Sequence, residues 1–179
     1  ELSKNTSPGP DGIPFSAWKR LKDLASRVLF DAFSEMTEDG GEEKMCEYYA
    51  AFNDSLLLFL PKKAPCRTAD GEAYYEPGGV RPLNVTNADN RLLASAVRLL
   101  VEPIIASRVT KKQRGFIAGR SMVANLIDVD ESMANHAMDD NEAGAIFFDF
   151  AAGFPSVEHE FLMTFFGAQG WPAWLLRFI

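Results

Sequence analysis

Residues 145–160 read Ala-Ile-Phe-Phe-Asp-Phe-Ala-Ala-Gly-Phe-Pro-Ser-Val-Glu-His-Glu. Four apolar residues, Ala145 to Phe148, run straight into one carboxylate, Asp149. Gly153 and Pro155 then turn the chain, and a helical pattern begins near Glu158. The pattern predicts a buried strand over Gly144–Phe150 that ends on an acid. Such a strand end suits a hard cation, because the rigid backbone fixes the carboxylate and the end opens onto a cleft. On residue chemistry alone, Asp149 reads equally as an acid capping a turn.

Working outward, the N-terminal side opens with the turn-dense loop Ser7-Pro8-Gly9-Pro10-Asp11-Gly12-Ile13-Pro14. Pro14 suits a first helical turn, and Trp18, Leu21, Leu24, Ala25, Val28, Leu29 and Ala32 fall on one face of a helix to about Met36. A second helix is expected over Glu42–Phe52. Ser55–Leu60 reads as a strand and Val80–Val85 as its return, with the polar residues 64–79 as the turn between them. Ala88 to about Val109 is predicted helical, with Leu93, Ala96, Val97, Leu100 and Ile104 inward and a kink or break at Pro103. Gln113–Gly119 is a loop. Ser121 can cap a helix to about Met138, with Leu126, Val129, Met133 and Ala137 facing a core. A helix over His159–Ala168 follows, and Trp171-Pro172 opens another. This order of elements makes the chain α+β.

The 179 residues are enough for one domain or one and a half, and their 47% hydrophobic content is ordinary for a globular chain. No apolar run approaches a membrane span, and no signal-peptide pattern is present, so an intracellular location is expected. Both ends read as cut from something longer. Cys46 and Cys66 are expected to be free thiols, and with His136 and His159 they form no zinc spacing. The net charge of −7 hides a division: residues 1–56 carry −5, residues 57–125 carry +6 and residues 126–179 carry −8. A basic middle can attract phosphate beside an acidic, metal-attracting end, although a solvated basic helix would look the same.

Five blocks resemble, in order, the reverse transcriptases of the non-LTR retrotransposon type, with group II intron enzymes as relatives. Ser7–Pro14 with Trp18-Lys19 is similar to the family's "SPGPDGIP…K" block. Phe59-Leu60-Pro61-Lys62-Lys63 is similar to "LIPK", and Val80-Arg81-Pro82-Leu83 to "YRPIS". Gln113-Arg114-Gly115-Phe116-Ile117-Ala118-Gly119-Arg120 is similar to "Q.GF..GR". The opening stretch is similar to "DF.KAFDSV.H". The blocks span nearly the whole chain.

The resemblance implies a right-hand polymerase fold, with fingers over residues 1–125 (hairpin at about 55–85) and the beginning of a palm over 126–179. Helices would pack around the hairpin and a short buried antiparallel sheet. It implies an RNA-directed DNA polymerase acting with RNA template, DNA primer and dNTP through two Mg²⁺ ions. Asp149 would be the catalytic metal ligand, joined by the Phe150 backbone carbonyl. Arg81, with Lys62 or Lys63, would grip the triphosphate, and strand alternation leaves open which lysine faces it. Phe154 would exclude a ribose 2′-OH. Gln113, Gly115, Phe116, Gly119 and Arg120 would line the template side. A nuclear location is consistent with the family.

The chain departs from the family pattern at three points. No "[YF]-x-D-D" follows Asp149, and Ala137-Met138-Asp139-Asp140 precedes it at an expected helix end. Asp128-x-Asp130 has helical spacing and reads as an outer acidic face. Pro155 stands where relatives carry a second Asp, and Gly153 replaces an Ala. The missing palm and thumb predict a segment inactive alone. The alternative is a non-catalytic retroelement remnant that binds RNA or a partner.

Overall fold

A computed structural model describes residues 7–40, 51–139, 142, 144–150, 153–154 and 156–179. Its mixed helix and strand composition agrees with the α+β expectation. The elements are α1 (Phe15–Leu21), α2 (Asp23–Thr37), β1 (Ser55–Pro61), β2 (Cys66–Arg67), β3 (Ala73–Tyr74), a 3₁₀ turn (Pro77–Gly79), β4 (Val80–Thr86), α3 (Ala88–Arg108), α4 (Met122–Asp139), α5 (His159–Ala168) and α6 (Ala173–Phe178). The helix expected over Glu42–Phe52 falls mostly outside the described residues, as does Cys46. Cys66 is a free, exposed thiol.

Two compact units divide the chain: residues 1–95 with 166–179, and residues 96–165. The division falls inside α3 and again inside α5.

In the first unit, α1 and α2 replace the single helix expected from Pro14 to Met36. Lys22 breaks them with φ 47° and ψ −120°, a conformation costly for any residue with a Cβ. α2 packs on α6. Phe33 meets Trp174 at 5.9 Å and Phe178 at 5.4 Å between ring centroids, and Met36 and Leu175 are buried. Aromatic pairs of this kind contribute roughly 0.5–1.5 kcal/mol beyond their buried area. Arg177 on α6 donates to the Thr37 carbonyl and pairs with Asp39, placing a cation where the α2 dipole is negative.

The hairpin forms where sequence placed it. β1 and β4 pair antiparallel from Ser55 opposite Thr86 to Pro61 opposite Val80. The polar stretch between them adds the small β2–β3 ladder, with Cys66 opposite Tyr74. The hairpin is not buried, because Leu56, Leu57, Leu58, Phe59, Leu60 and Leu83 are all exposed. This corrects the expected buried sheet: among the described residues, the two ladders have two strands each and no helix covers them.

In α3, only Leu93 and Val97 of the expected inward face are buried, while Leu100 and Ile104 stay exposed. The helix continues through Pro103. Proline removes the hydrogen bond to the carbonyl four residues back, and that residue, Leu99, is 64% exposed, so water reaches the affected turn.

In the second unit, α4 begins one residue after Ser121, as expected. Its apolar face is not buried: Leu126, Val129, Met133 and Ala137 are all exposed. The largest correction concerns residues 144–150. They form neither helix nor strand, and Ile146, Phe147, Phe148 and Phe150 are 75–86% exposed. An apolar run predicts burial but supplies no partner, and a strand exists only through its ladder. No described strand pairs with this segment. Asp139 ends α4, as the helix-end reading of Asp139-Asp140 expects.

Candidate functional site

The residues singled out by sequence fall in both units. Arg81, Lys62 and Lys63 belong to the hairpin of the first unit; the loop 113–120, Asp149, Phe150 and Phe154 belong to the second.

On the hairpin, register relates Lys62 to Arg81. Leu60 stands opposite Arg81, and directly opposed residues of an antiparallel pair share a face. The ladder runs one position further, since the Lys62 amide donates to the Gly79 carbonyl at 2.8 Å. This bond keeps Lys62 in register two positions from Leu60, on the face that Leu60 shares with Arg81, and the chain bends at Lys62 and Lys63 past the end of β1. Arg81, Lys62 and Lys63 are exposed, as is Arg67, which donates to the Gly71 carbonyl at 2.9 Å. The hairpin thus presents cations on an apolar ribbon, a surface suited to phosphate contact.

The loop 113–120 is organised around Arg120. Its Nη1 donates to the Thr110 and Gln113 carbonyls at 2.6 Å each, and its Nη2 to the Ala106 carbonyl at 2.7 Å and the Val109 carbonyl at 3.5 Å. Four guanidinium hydrogens are committed to backbone, closing the carbonyls at the end of α3. Arg120 thereby scaffolds the loop. Glu102, which sequence reading did not single out, accepts from the Ala118 amide at 3.1 Å. Gln113 folds back, with Nε2 donating to the Gly115 carbonyl at 3.1 Å. Arg114 pairs with Asp128 at 2.8 Å, so one carboxylate of the Asp128-x-Asp130 pattern is engaged in an ion pair.

These bonds fix a tight turn. Gly119 takes φ 75°, which glycine tolerates without strain, and Phe116 takes φ 61°, which a side-chain-bearing residue rarely does. The Phe116 ring is 93% exposed. It meets Phe154 edge-to-face, with centroids 6.3 Å apart. The loop expected to line the template and the residue expected to be the sugar gate are therefore brought together within one unit.

No family model, curated protein or solved structure matches the chain. The functional reading therefore rests on the motif blocks and on this geometry.

Asp149 is exposed, and so is Phe150 beside it. Among the described residues, no group of three or more His, Cys, Asp or Glu converges as a metal site. Mg²⁺ requires six oxygens in near-octahedral array, so one carboxylate and one carbonyl do not make a centre for even one ion without further protein ligands or substrate oxygens. The residues present do not fit a complete two-ion site, and no catalytic step through metal follows from them. Among the described residues, no helix is long and apolar enough to cross a membrane.

Proposed function

We propose that the chain is a fingers and early-palm segment of a non-LTR-type reverse transcriptase, an RNA-directed DNA polymerase. What carries this reading is the register of the hairpin. "LIPK-like" β1 and "YRPIS-like" β4 pair so that Arg81 and Lys62 share one face, as a triphosphate-gripping pair requires. The Phe116–Phe154 contact adds support, since two blocks far apart in sequence meet as a template loop and a sugar gate would.

In this reading Arg81 and Lys62 bind the dNTP phosphates. Gln113, Gly115, Phe116 and Gly119 form the template side, held in shape by Arg120 and Glu102. Asp149, with the Phe150 carbonyl, contributes to Mg²⁺ binding together with carboxylates that the described residues do not place beside it. The polymerase fingers fold, the RNA, DNA and dNTP partners and a nuclear location all belong to this proposal.

A primer-extension assay on the purified chain with RNA template, DNA primer, dNTP and Mg²⁺ is expected to show no incorporation, while dTTP–Mg²⁺ still binds and Arg81→Ala weakens that binding. Template-dependent extension would overturn the incomplete-site reading. Equal dTTP affinity for wild type and Arg81→Ala would overturn the nucleotide role of the hairpin.

The second reading, a non-catalytic RNA-binding remnant, is favoured by the exposed cations Lys62, Lys63, Arg67 and Arg81 of the hairpin, with Arg98, Arg108, Lys111 and Lys112 in the second unit. RNA affinity without any triphosphate affinity would select it.

A further inference from the structure

The first turn of α3 gathers three parts of the first unit. Asn87 lies between β4 and α3, and its carbonyl accepts from the Arg91 amide at 3.2 Å. Its side chain is turned the other way: Oδ1 accepts from the Asp11 amide at 3.1 Å, and the residue is buried. Asn90 reaches the foot of β1, donating through Nδ2 to the Phe52 carbonyl at 3.2 Å and Asn53 Oδ1 at 2.8 Å. Arg91 donates to the Ser7 carbonyl at 2.7 Å, and its guanidinium lies 4.7 Å from the centre of the Phe15 ring.

The loop that meets this turn is itself stiff. The Gly12 amide donates to the Gly9 carbonyl at 3.1 Å, and the Ile13 amide to Asp11 Oδ1 at 2.9 Å. Its approach is so close that a Cβ on Gly9 would fall 2.5 Å from the Asn87 nitrogen and 2.6 Å from its Cα. Only glycine admits this contact, because the atoms it would strike are backbone and cannot rotate away.

We infer that Asn87 is a positioning residue for Arg81, a step that rests on the nucleotide reading of the hairpin. The β1–β4 ribbon is exposed along its length, so its direction is set at its base. Both feet are tied to one helical turn: β4 by chain continuity at Asn87, and β1 through Asn90. Ser7–Asp11 wedges against that turn through the Gly9–Asn87 approach and the Asp11 amide. Displacing the wedge frees the base, and a lever that carries Arg81 near its far end amplifies the movement. The proline- and glycine-rich loop thus acts on the nucleotide-facing arginine without touching nucleotide itself.

The test compares Asn87→Leu, Asn87→Asp and Gly9→Ala in the 179-residue chain. Hydrogen exchange is read over Ser55–Pro61 and Val80–Thr86, alongside dTTP–Mg²⁺ titration. Asn87→Leu removes the acceptor and is expected to speed exchange across the hairpin and weaken dTTP binding about fivefold, the loss typical of one net hydrogen bond. Asn87→Asp keeps the acceptor and is expected to restore both readouts. Hairpin exchange unchanged in Asn87→Leu overturns the inference, as does unchanged dTTP affinity where Arg81→Ala lowers it. If Asn87→Leu does not fold, Gly9→Ala decides: the same hairpin-selective acceleration, with α2 and α6 protection intact, supports the inference, and wild-type exchange overturns it. An Arg81→Ala chain with unaltered dTTP affinity sinks the nucleotide reading instead, and the exchange data then judge the hold on the hairpin by itself.

Discussion

The Phe116 ring stands edge-on to the Phe154 ring, with centroids 6.3 Å apart and planes at 86°. Both rings are otherwise bare, at 93% and 85% exposure. Their contact places a positive ring edge against a negative ring face, worth on the order of 1 kcal/mol. Phe116→Leu is therefore expected to move the aromatic NMR resonances of Phe154 while lowering global stability by no more than about 1 kcal/mol. Unmoved Phe154 resonances would separate the two rings. In a polymerase-competent protein containing this chain, Phe154→Val is expected to raise ribonucleotide incorporation, and Phe116→Leu to raise it by a smaller factor.

Arg120 is expected to matter for stability more than for phosphate affinity. Its guanidinium reaches four carbonyls, Ala106, Val109, Thr110 and Gln113, and losing such charge-assisted bonds costs roughly 2–3 kcal/mol. Arg120→Ala should lower the chemical-denaturation midpoint and speed amide exchange over residues 113–119. Arg120→Lys should recover little, because an ammonium cannot span the same fork. An Arg120→Ala chain as stable as wild type, but with weakened RNA binding, would return Arg120 to a direct phosphate role.

The α2–α6 contact is expected to dominate the stability of the first unit. Leu175 is 4% exposed and anchors a helix of six residues that could not persist unpacked. Leu175→Ala should cost about 2–4 kcal/mol in urea unfolding, the range for emptying a buried leucine site. A cost below about 0.5 kcal/mol would show that α6 adds nothing to the fold.

Any RNA binding should weaken steeply with salt. Each phosphate neutralised contributes about −0.7 to the slope of log affinity against log salt for single strands. Lys111→Ala with Lys112→Ala should therefore make the slope shallower by about 1.4 if both lysines contact RNA. A salt-independent affinity would remove the electrostatic interface.

Local chemistry made much of this fold readable. β1, β4, α3, α4, α5 and α6 lie within a residue or two of where alternation, helical periodicity and turn residues put them. The failures share one cause. Ile146, Phe147 and Phe148, like Leu126 and Met133 on α4, carry patterns that announce a buried face, yet pattern does not tell what buries it. Lys22 broke a helix that its neighbours favour, through a backbone state that no lysine signals. At the site, the relation of Lys62 to Arg81 was not legible, because it depends on the register of β1 against β4. The hold of Arg120 on its loop was not legible, because an arginine beside a glycine-rich loop offers the same donors to phosphate as to backbone carbonyls. Glu102 gave no signal, since its partner Ala118 is reached only through the turn between them. Asn87 did give one, an asparagine at a strand-to-helix junction, and its reach to Asp11 is a long-range fact.

The bare stretch Ala145–Phe150 has a colloidal consequence. Five residues of alanine, isoleucine and phenylalanine, with Asp149 as the single charge among them, make a segment prone to stack into intermolecular β-structure. Asp149 then serves a second purpose as a gatekeeper, since like carboxylates repel when such segments line up. An Asp149→Asn chain, the natural probe of metal binding, should clump at concentrations where the parent stays dispersed. Asp149→Glu, which keeps the charge, should not. Light scattering on the two variants separates lost chemistry from lost solubility.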